Sequence, residues 1–171
     1  MPGVAMLQIH SFPPIASRTS RVLILGTMPG KVSLRERQYY AHPQNLFWRI
    51  IGGIVGFDPA SPYRARVASV QSAGVAIWDV LKSCSRGSSL DSDIEGSSAV
   101  PNDFAAFFAE HPHIQRICFN GAKAESLYMK RVRPHLAAKA DVQHVRLPST
   151  SPANASLALS EKVRAWQAIV L

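Results

Sequence analysis

The sequence predicts an α/β fold, a three-layer α/β/α sandwich around a central, mostly parallel sheet of four to five strands. Three observations carry this. The runs Arg21–Leu25 and Val75–Trp78 read as buried strands, and Ile114–Phe119 and Val142–Leu147 as a third and a fourth strand. Segments with helical spacing lie between and after them. Strands that alternate with helices form parallel sheets covered on both faces.

Arg21–Leu25 stops at Gly26 and Pro29, a strand ending in a tight turn. From Gln44 to Val55 the apolar residues Phe47, Ile50, Ile51 and Ile54 recur at helical spacing. After the strand Val75–Trp78, Ser83–Ser98 is rich in Ser and Gly and reads as a long surface loop. Pro101–Glu110 reads as a helix with proline in its first turn and Phe104, Phe107 and Phe108 inside. Ile114–Phe119 leads through Asn120-Gly121 into a basic helix, Ala122–Val132. The strand Val142–Leu147 runs into Pro148-Ser-Thr-Ser-Pro152. A last helix, from about Leu157, buries Val163, Trp166, Ile169 and Val170.

The 171 residues suit one domain, 1–171, and a 47% hydrophobic content suits a packed core. Nineteen Lys and Arg against eleven Asp and Glu give a net charge of +8. That excess fits a polyanionic partner, or positive charge that only keeps the protein in solution. Cys84 and Cys118 stand far apart and are expected reduced, in the cytoplasm. No His, Cys or carboxylate spacing suggests a metal, and no cofactor is implied. Met1–Arg21 has no long apolar run and carries three prolines, so neither a leader nor a membrane span is expected there.

In open parallel sheets, function gathers at the carboxyl ends of strands. Three unusual segments fall there: Gly26-Thr27-Met28-Pro29-Gly30, Trp78-Asp79, and Ser149-Thr150-Ser151-Pro152-Ala153-Asn154. The first allows close backbone approach to a ligand but lacks the residues of a phosphate or dinucleotide loop. Tyr39-Tyr40-Ala41-His42-Pro43-Gln44-Asn45-Leu46-Phe47-Trp48 sets aromatics, a histidine and an amide before a helix. Such a group can stack a base and read its edge, or staple and cap the helix start.

Gly26–Gly30 followed by Tyr40-Ala-His-Pro-Gln-Asn-Leu-Phe-Trp48 resembles the first motif of the mismatch-specific uracil/thymine DNA glycosylases. That motif reads Gly-Ile-Asn-Pro-Gly, then Phe-Ala-His-Pro-Ala-Asn-Arg-Phe-Trp. Trp78-Asp79-Val80 and Leu147–Ala155 resemble the hypoxanthine-DNA glycosylase branch of the uracil-DNA glycosylase superfamily. The resemblance spans Arg21 to about Ser156. It implies a monofunctional, metal-free enzyme that flips a deaminated base from double-stranded DNA and hydrolyses its glycosidic bond, acting as a monomer.

Two departures follow. Met28 stands where the mismatch enzymes position water with Asn, and Ser151 where the uracil enzymes carry a histidine. A thioether cannot orient water. The hypoxanthine branch shares both losses, and its resemblance assigns catalysis to Asn45. It further implies Gly26, Thr27, Met28, Tyr40 and Asp79 against the base, with Tyr40 stacking on it. Ser149, Thr150, Ser151, Pro152, Asn154 and Lys31 would meet the DNA strand, with Arg35 and Arg37 near the backbone. Each has a structural alternative: Tyr40 as a core aromatic, Asp79 as a cap, the serines as a capping cluster, Lys31 on a solvated loop. Lys123, Lys130, Arg131 and Arg133 read as a solvated helix face. Ala155 and Ser156, where relatives insert a wedge into the duplex, are small. Competing functions are uracil or xanthine release and non-catalytic DNA binding. A small-molecule α/β hydrolase lacks its Gly-x-Ser-x-Gly elbow here.

Overall fold

The computed structural model describes residues 7–137 and 142–171. The first residues of the proline-bearing N-terminal segment, 1–6, lie outside the described residues, as do 138–141. The strands are β1 (Gln8–His10), β2 (Val22–Gly26), β3 (Val75–Asp79), β4 (Leu81–Ser85), β5 (Val100–Pro101), β6 (Arg116–Asn120) and β7 (Gln143–Leu147). The α-helices are α1 (Lys31–Glu36), α2 (Phe47–Val55), α3 (Tyr63–Ser72), α4 (Phe104–Glu110), α5 (Ala122–Arg131) and α6 (Leu159–Trp166).

The central sheet has the order β3-β2-β6-β7, and every pair in it is parallel. Side chains alternate across a strand. On β2, Leu23 and Leu25 therefore enter one core with Phe104, Phe107, Phe108, Leu127 and Tyr128 of α4 and α5. Val22 and Ile24 enter the opposite core with Phe47, Ile50, Ile51, Val70 and Trp166 of α2, α3 and α6. Both faces of β2 are covered, which is why its sequence is an unbroken apolar run. Three layers result.

The chain leaves β2 for β3 on one side and returns to β6 on the other. The carboxyl ends of β2 and β6 therefore flank a topological switch point, where open α/β sheets form ligand crevices.

Several expectations need correction. Ser83–Ser98 is not simply a surface loop. Ser83 and Cys84 are buried in β4, which with β1 and β5 makes a small antiparallel sheet. Arg86 is buried as well, and 3₁₀ turns follow at Asp91–Asp93 and Gly96–Ser98. Here the Ser85 amide donates to Ser98 Oγ and Arg86 donates to the Pro29 carbonyl, partnerships that composition cannot distinguish from solvation. Helix α2 begins at Phe47 rather than Gln44, because a turn at Pro43–Gln44, closed by the Asn45 amide on the His42 carbonyl, precedes it. Helix α4 begins at Phe104, where the Asp103 carboxylate accepts a hydrogen bond from the Ala106 amide at 3.0 Å. Val170 is 56% exposed, since the chain leaves α6 through a 3₁₀ turn that buries Ile169 instead. Helices α1 and α3 were not anticipated. Helix α3 buries only Val70 fully and shows no clear apolar stripe.

Because Ile24 is fully buried at the middle of β2, Ile24→Ala should destabilise the protein by about 2–5 kcal/mol. Urea unfolding measures this. A loss below about 1 kcal/mol would mean that this core collapses around the deletion.

Candidate functional site

The carboxyl ends of β2, β3, β6 and β7 open into a cleft of about 500 Å³. It is lined by the turn after β2 (Gly26–Gly30), Asp79 at the end of β3, Asn120 at the end of β6, and Ser149–Asn154 after β7. Tyr40, His42 and Asn45 form another wall, and Ser89–Ser92 close a further side. Three segments far apart in sequence thus meet where the strand ends predicted, and Lys31 sits at their edge.

The floor is built around a missing side chain. A Cβ on Gly26 would lie 2.6 Å from Asp79 Oδ1 and 2.8 Å from the Tyr40 hydroxyl oxygen. Only glycine lets those two polar groups converge. Asp79 Oδ2, the Tyr40 hydroxyl and Thr27 Oγ1 are buried without a well-formed hydrogen bond, although Thr27 stands near enough to Asp91 to favour its ionised form. Buried polar groups are nearly always paired, so three unpaired ones in one cleft point to the polar edge of an absent ligand.

Asp79 is 3% exposed. Burial pushes its carboxyl up to about 8; nearby Asp91 adds to the rise and the Arg86 guanidinium opposes it. At neutral pH Asp79 is therefore mainly a neutral acid that can donate a hydrogen bond. Burial, and then Asp79, also drive the Tyr40 phenol far above its ordinary range, so it too is a donor. Asn120 sits beside that phenol and slightly favours its ionised form, but makes no well-formed hydrogen bond with it.

Tyr40 stacks on Phe47 at 3.9 Å between ring centroids and 18° between planes. Its backbone is left-handed, with φ of 54°, an uncommon conformation for a bulky residue. The core alternative is therefore half right: Phe47 braces the ring, while Tyr40 still lines the cleft. Met28 is 7% exposed, packs into the core with Leu25 and Trp78, and also lines the cleft. It supplies an apolar wall.

Asn45 is half-buried, and its Oδ1 accepts a hydrogen bond from the Phe47 amide at 3.0 Å. This bond orients the side chain at the start of α2. The second lone pair of Oδ1 and both Nδ2 protons remain available. Asn45 is not the N-cap of α2, which is Leu46; it stands one residue earlier and lines the cleft.

In the loop after β7, Thr150 is fully buried. Its Oγ1 accepts from Asn120 Nδ2 at 2.9 Å, and its amide donates to Asn120 Oδ1 at 2.9 Å. Its side chain shapes the loop and is not open to a DNA strand. Ser149 and Ser151 are partly open, while Pro152 is exposed. Lys31 is exposed, with its backbone amide donating to Ser89 Oγ at 2.9 Å. Lys123, Lys130, Arg131 and Arg133 are all exposed and line no part of the cleft.

Sequence reasoning missed three residues. Asn120 ends a parallel strand, so the logic that singled out Asp79 would have found it. Lys162 occupies an inward position three residues after Leu159 and four before Trp166, a legible helical signal. Arg86 sits inside a Ser/Gly-rich stretch and gave no signal. Its buried guanidinium donates from Nη2 to the Pro29 carbonyl at 2.5 Å and lies 3.9 Å from Asp91. Among the described residues, no group of three or more His, Cys, Asp or Glu could hold a metal ion.

Comparison with known proteins gives the family and the fold. The profile of the uracil DNA glycosylase superfamily matches residues 13–170. A hypoxanthine DNA glycosylase of Methanosarcina barkeri is 37% identical over 116 residues, 67% of this chain and 72% of that protein. One of Methanosarcina acetivorans is 36% identical over the same shares. A solution NMR structure of a candidate uracil DNA glycosylase from Methanosarcina acetivorans superposes with a TM-score of 0.77 at 30% identity, covering 95% of this chain and 99% of that one.

The Asp79 carboxyl generates a prediction independent of activity. An acid whose pKa rises on folding contributes stability below its unfolded value, near 4, and loses it as pH rises through the folded value. Wild type should therefore lose stability relative to Asp79→Asn from about pH 4 to about pH 8, and run parallel to it above that. Urea midpoints of both proteins across this range measure the difference. A constant difference would mean that Asp79 is ionised in the folded protein at neutral pH.

Proposed function

This chain belongs to the uracil DNA glycosylase superfamily and is a DNA glycosylase, and from that premise we propose that the base it removes first is hypoxanthine. Residues 1–171 act in this reading as one glycosylase domain, a cytoplasmic monomer in base-excision repair. The observation that carries the choice of base is the similarity to two hypoxanthine DNA glycosylases, and the buried, unpartnered groups around Gly26, Asp79 Oδ2, the Tyr40 hydroxyl and Thr27 Oγ1, suit it. All three belong to groups that can donate at neutral pH, Asp79 because its carboxyl is mainly protonated. A purine such as hypoxanthine offers ring-nitrogen and carbonyl acceptors to such donors.

The reaction breaks the C1′–N9 bond and forms a C1′–O bond to water. The leaving purine takes up a proton, and an abasic site remains. The nucleotide must be flipped out of the stack and the oxocarbenium-like sugar stabilised as the base departs. In this proposal the base lies on the free face of Tyr40, against Gly26, Thr27 and Met28. Asp79 donates to the purine as negative charge develops on it. Asn45 orients the water through the free lone pair of Oδ1. An amide is no general base at neutral pH, so positioning and leaving-group stabilisation carry the rate. Ser149, Ser151, Pro152, Asn154 and Lys31 grip the strand, and Thr150 holds the loop from within.

Uracil and xanthine are the competing substrates. Duplexes carrying one inosine, uracil or xanthosine, incubated with chelator and then treated with alkali, separate them. We expect the inosine strand to break only after alkali, at a rate indifferent to chelator. Faster release of uracil than of hypoxanthine would overturn the choice of base, and strand breaks without alkali the monofunctional reaction.

Asn45→Ala should keep the fold and DNA affinity but lower single-turnover base release by about a hundredfold. Loss of the bond to the Phe47 amide should cost about 1 kcal/mol of stability. Wild-type rates would leave Asn45 only as the partner of the Phe47 amide.

A further inference from the structure

Helix α6 carries a lysine where its inward stripe calls for an apolar residue. Lys162 is 2% exposed, between the inward-facing Leu159 and Trp166. Its Nζ donates to the Ser149 carbonyl at 3.0 Å and to the Asn154 carbonyl at 2.6 Å. Those carbonyls begin and end the loop Ser149–Asn154. One turn further along α6, Trp166 Nε1 donates to the Pro148 carbonyl at 2.9 Å. Among the described residues no carboxylate forms an ion pair with Lys162. A buried, unpaired ammonium is costly to hold. Core filling would be better served by leucine or methionine.

The charge does what an apolar side chain cannot. It draws the two terminal carbonyl dipoles of the loop inward, toward α6. Carbonyl oxygens aimed outward would repel a phosphate. A positive charge fixed behind the loop and out of contact with solvent is also screened less than a surface lysine would be. We propose that Lys162 is the positioning residue of the strand-gripping loop, clamping both ends of Ser149–Asn154 and presenting that loop to a DNA phosphate. This rests on the reading of the loop as a DNA contact. It adds that the grip is set from behind, by a residue that never touches DNA.

The test uses Lys162→Met, which keeps bulk and removes the charge, and Lys162→Arg, which restores a cationic donor. Val163→Ala, on the same helix and packed against the core, controls for lost stability. For the methionine variant, the half-saturating concentration of inosine duplex should rise about tenfold or more, the scale of a lost charge-assisted hydrogen bond. The single-turnover rate at saturating duplex should stay near wild type. The arginine variant should recover most of the affinity. Val163→Ala should lower Tm without moving half-saturation. Unchanged half-saturation in Lys162→Met, or an equal rise in Val163→Ala, overturns the proposal.

Ser149→Ala with Ser151→Ala separates the two levels of inference. If that double variant binds duplex like wild type, the loop does not grip DNA and both readings fall. If it binds weakly while Lys162→Met binds normally, only the clamp falls. Should Lys162→Met fail to fold, the unmodified protein still decides. The Lys162 ammonium protons should exchange slowly with water, and their ¹⁵N signal should shift when abasic duplex is added. A fast-exchanging signal indifferent to DNA overturns the clamp.

Discussion

The whole floor of the cleft depends on the absence of one side chain. Gly26 ends β2, and a Cβ there would collide with Asp79 on one side and Tyr40 on the other. Those two residues arrive by different routes, one at the end of the neighbouring parallel strand, the other from the turn before α2. The register that pairs Gly26 with Asp79 brings a carboxyl against backbone, away from water. Its burial raises the carboxyl pKa, and the neutral acid that results is the form able to donate. Geometry at one glycine thus sets the protonation state of the group beside it.

Around this floor the fold places two buried cations, each behind a loop of the cleft. Arg86 holds the Pro29 carbonyl of the first turn, and Lys162 holds both ends of the last. Neither opens to solvent. The exposed basic residues of α5 line no part of the cleft. Net charge therefore says little about which cations matter. The ones that shape the cleft were the hardest to read from composition, because a buried lysine or arginine looks like a solvated one.

The β2 and β3 runs were legible because a sheet covered on both faces demands continuous apolar strands, whereas β7, an edge strand, buries only Leu147 fully. The convergence of Gly26–Gly30, Asp79 and Ser149–Asn154 was legible for the same reason, since parallel strands end together. Other features were not. The small antiparallel sheet uses β4, with Lys82 exposed and Ser83 buried, whose stability comes from pairing and not from pattern. Helix α3 has no apolar stripe to announce it. Thr150 could not be told from its serine neighbours, because only the Asn120 partnership turns it inward. Asn120 was within reach of strand-end logic and was passed over.

The groups left unpaired at the cleft are costly to stability. An unsatisfied buried donor or acceptor costs about 1–3 kcal/mol, and a left-handed tyrosine adds to that. A protein selected for stability alone would place an apolar side chain at position 79 and relax Tyr40. Retaining both leaves Phe47, packed against Tyr40 and edge-on to Trp48 and Trp166, to hold the strained ring in place. The aromatic cluster at the start of α2 is thus part of the cleft as much as of the core. The block from Tyr39 to Trp48 contains both a ring that lines the cleft and the packing that keeps it there. A packed helix start and an aromatic cleft wall, which look like rival readings of that block, are two faces of one arrangement.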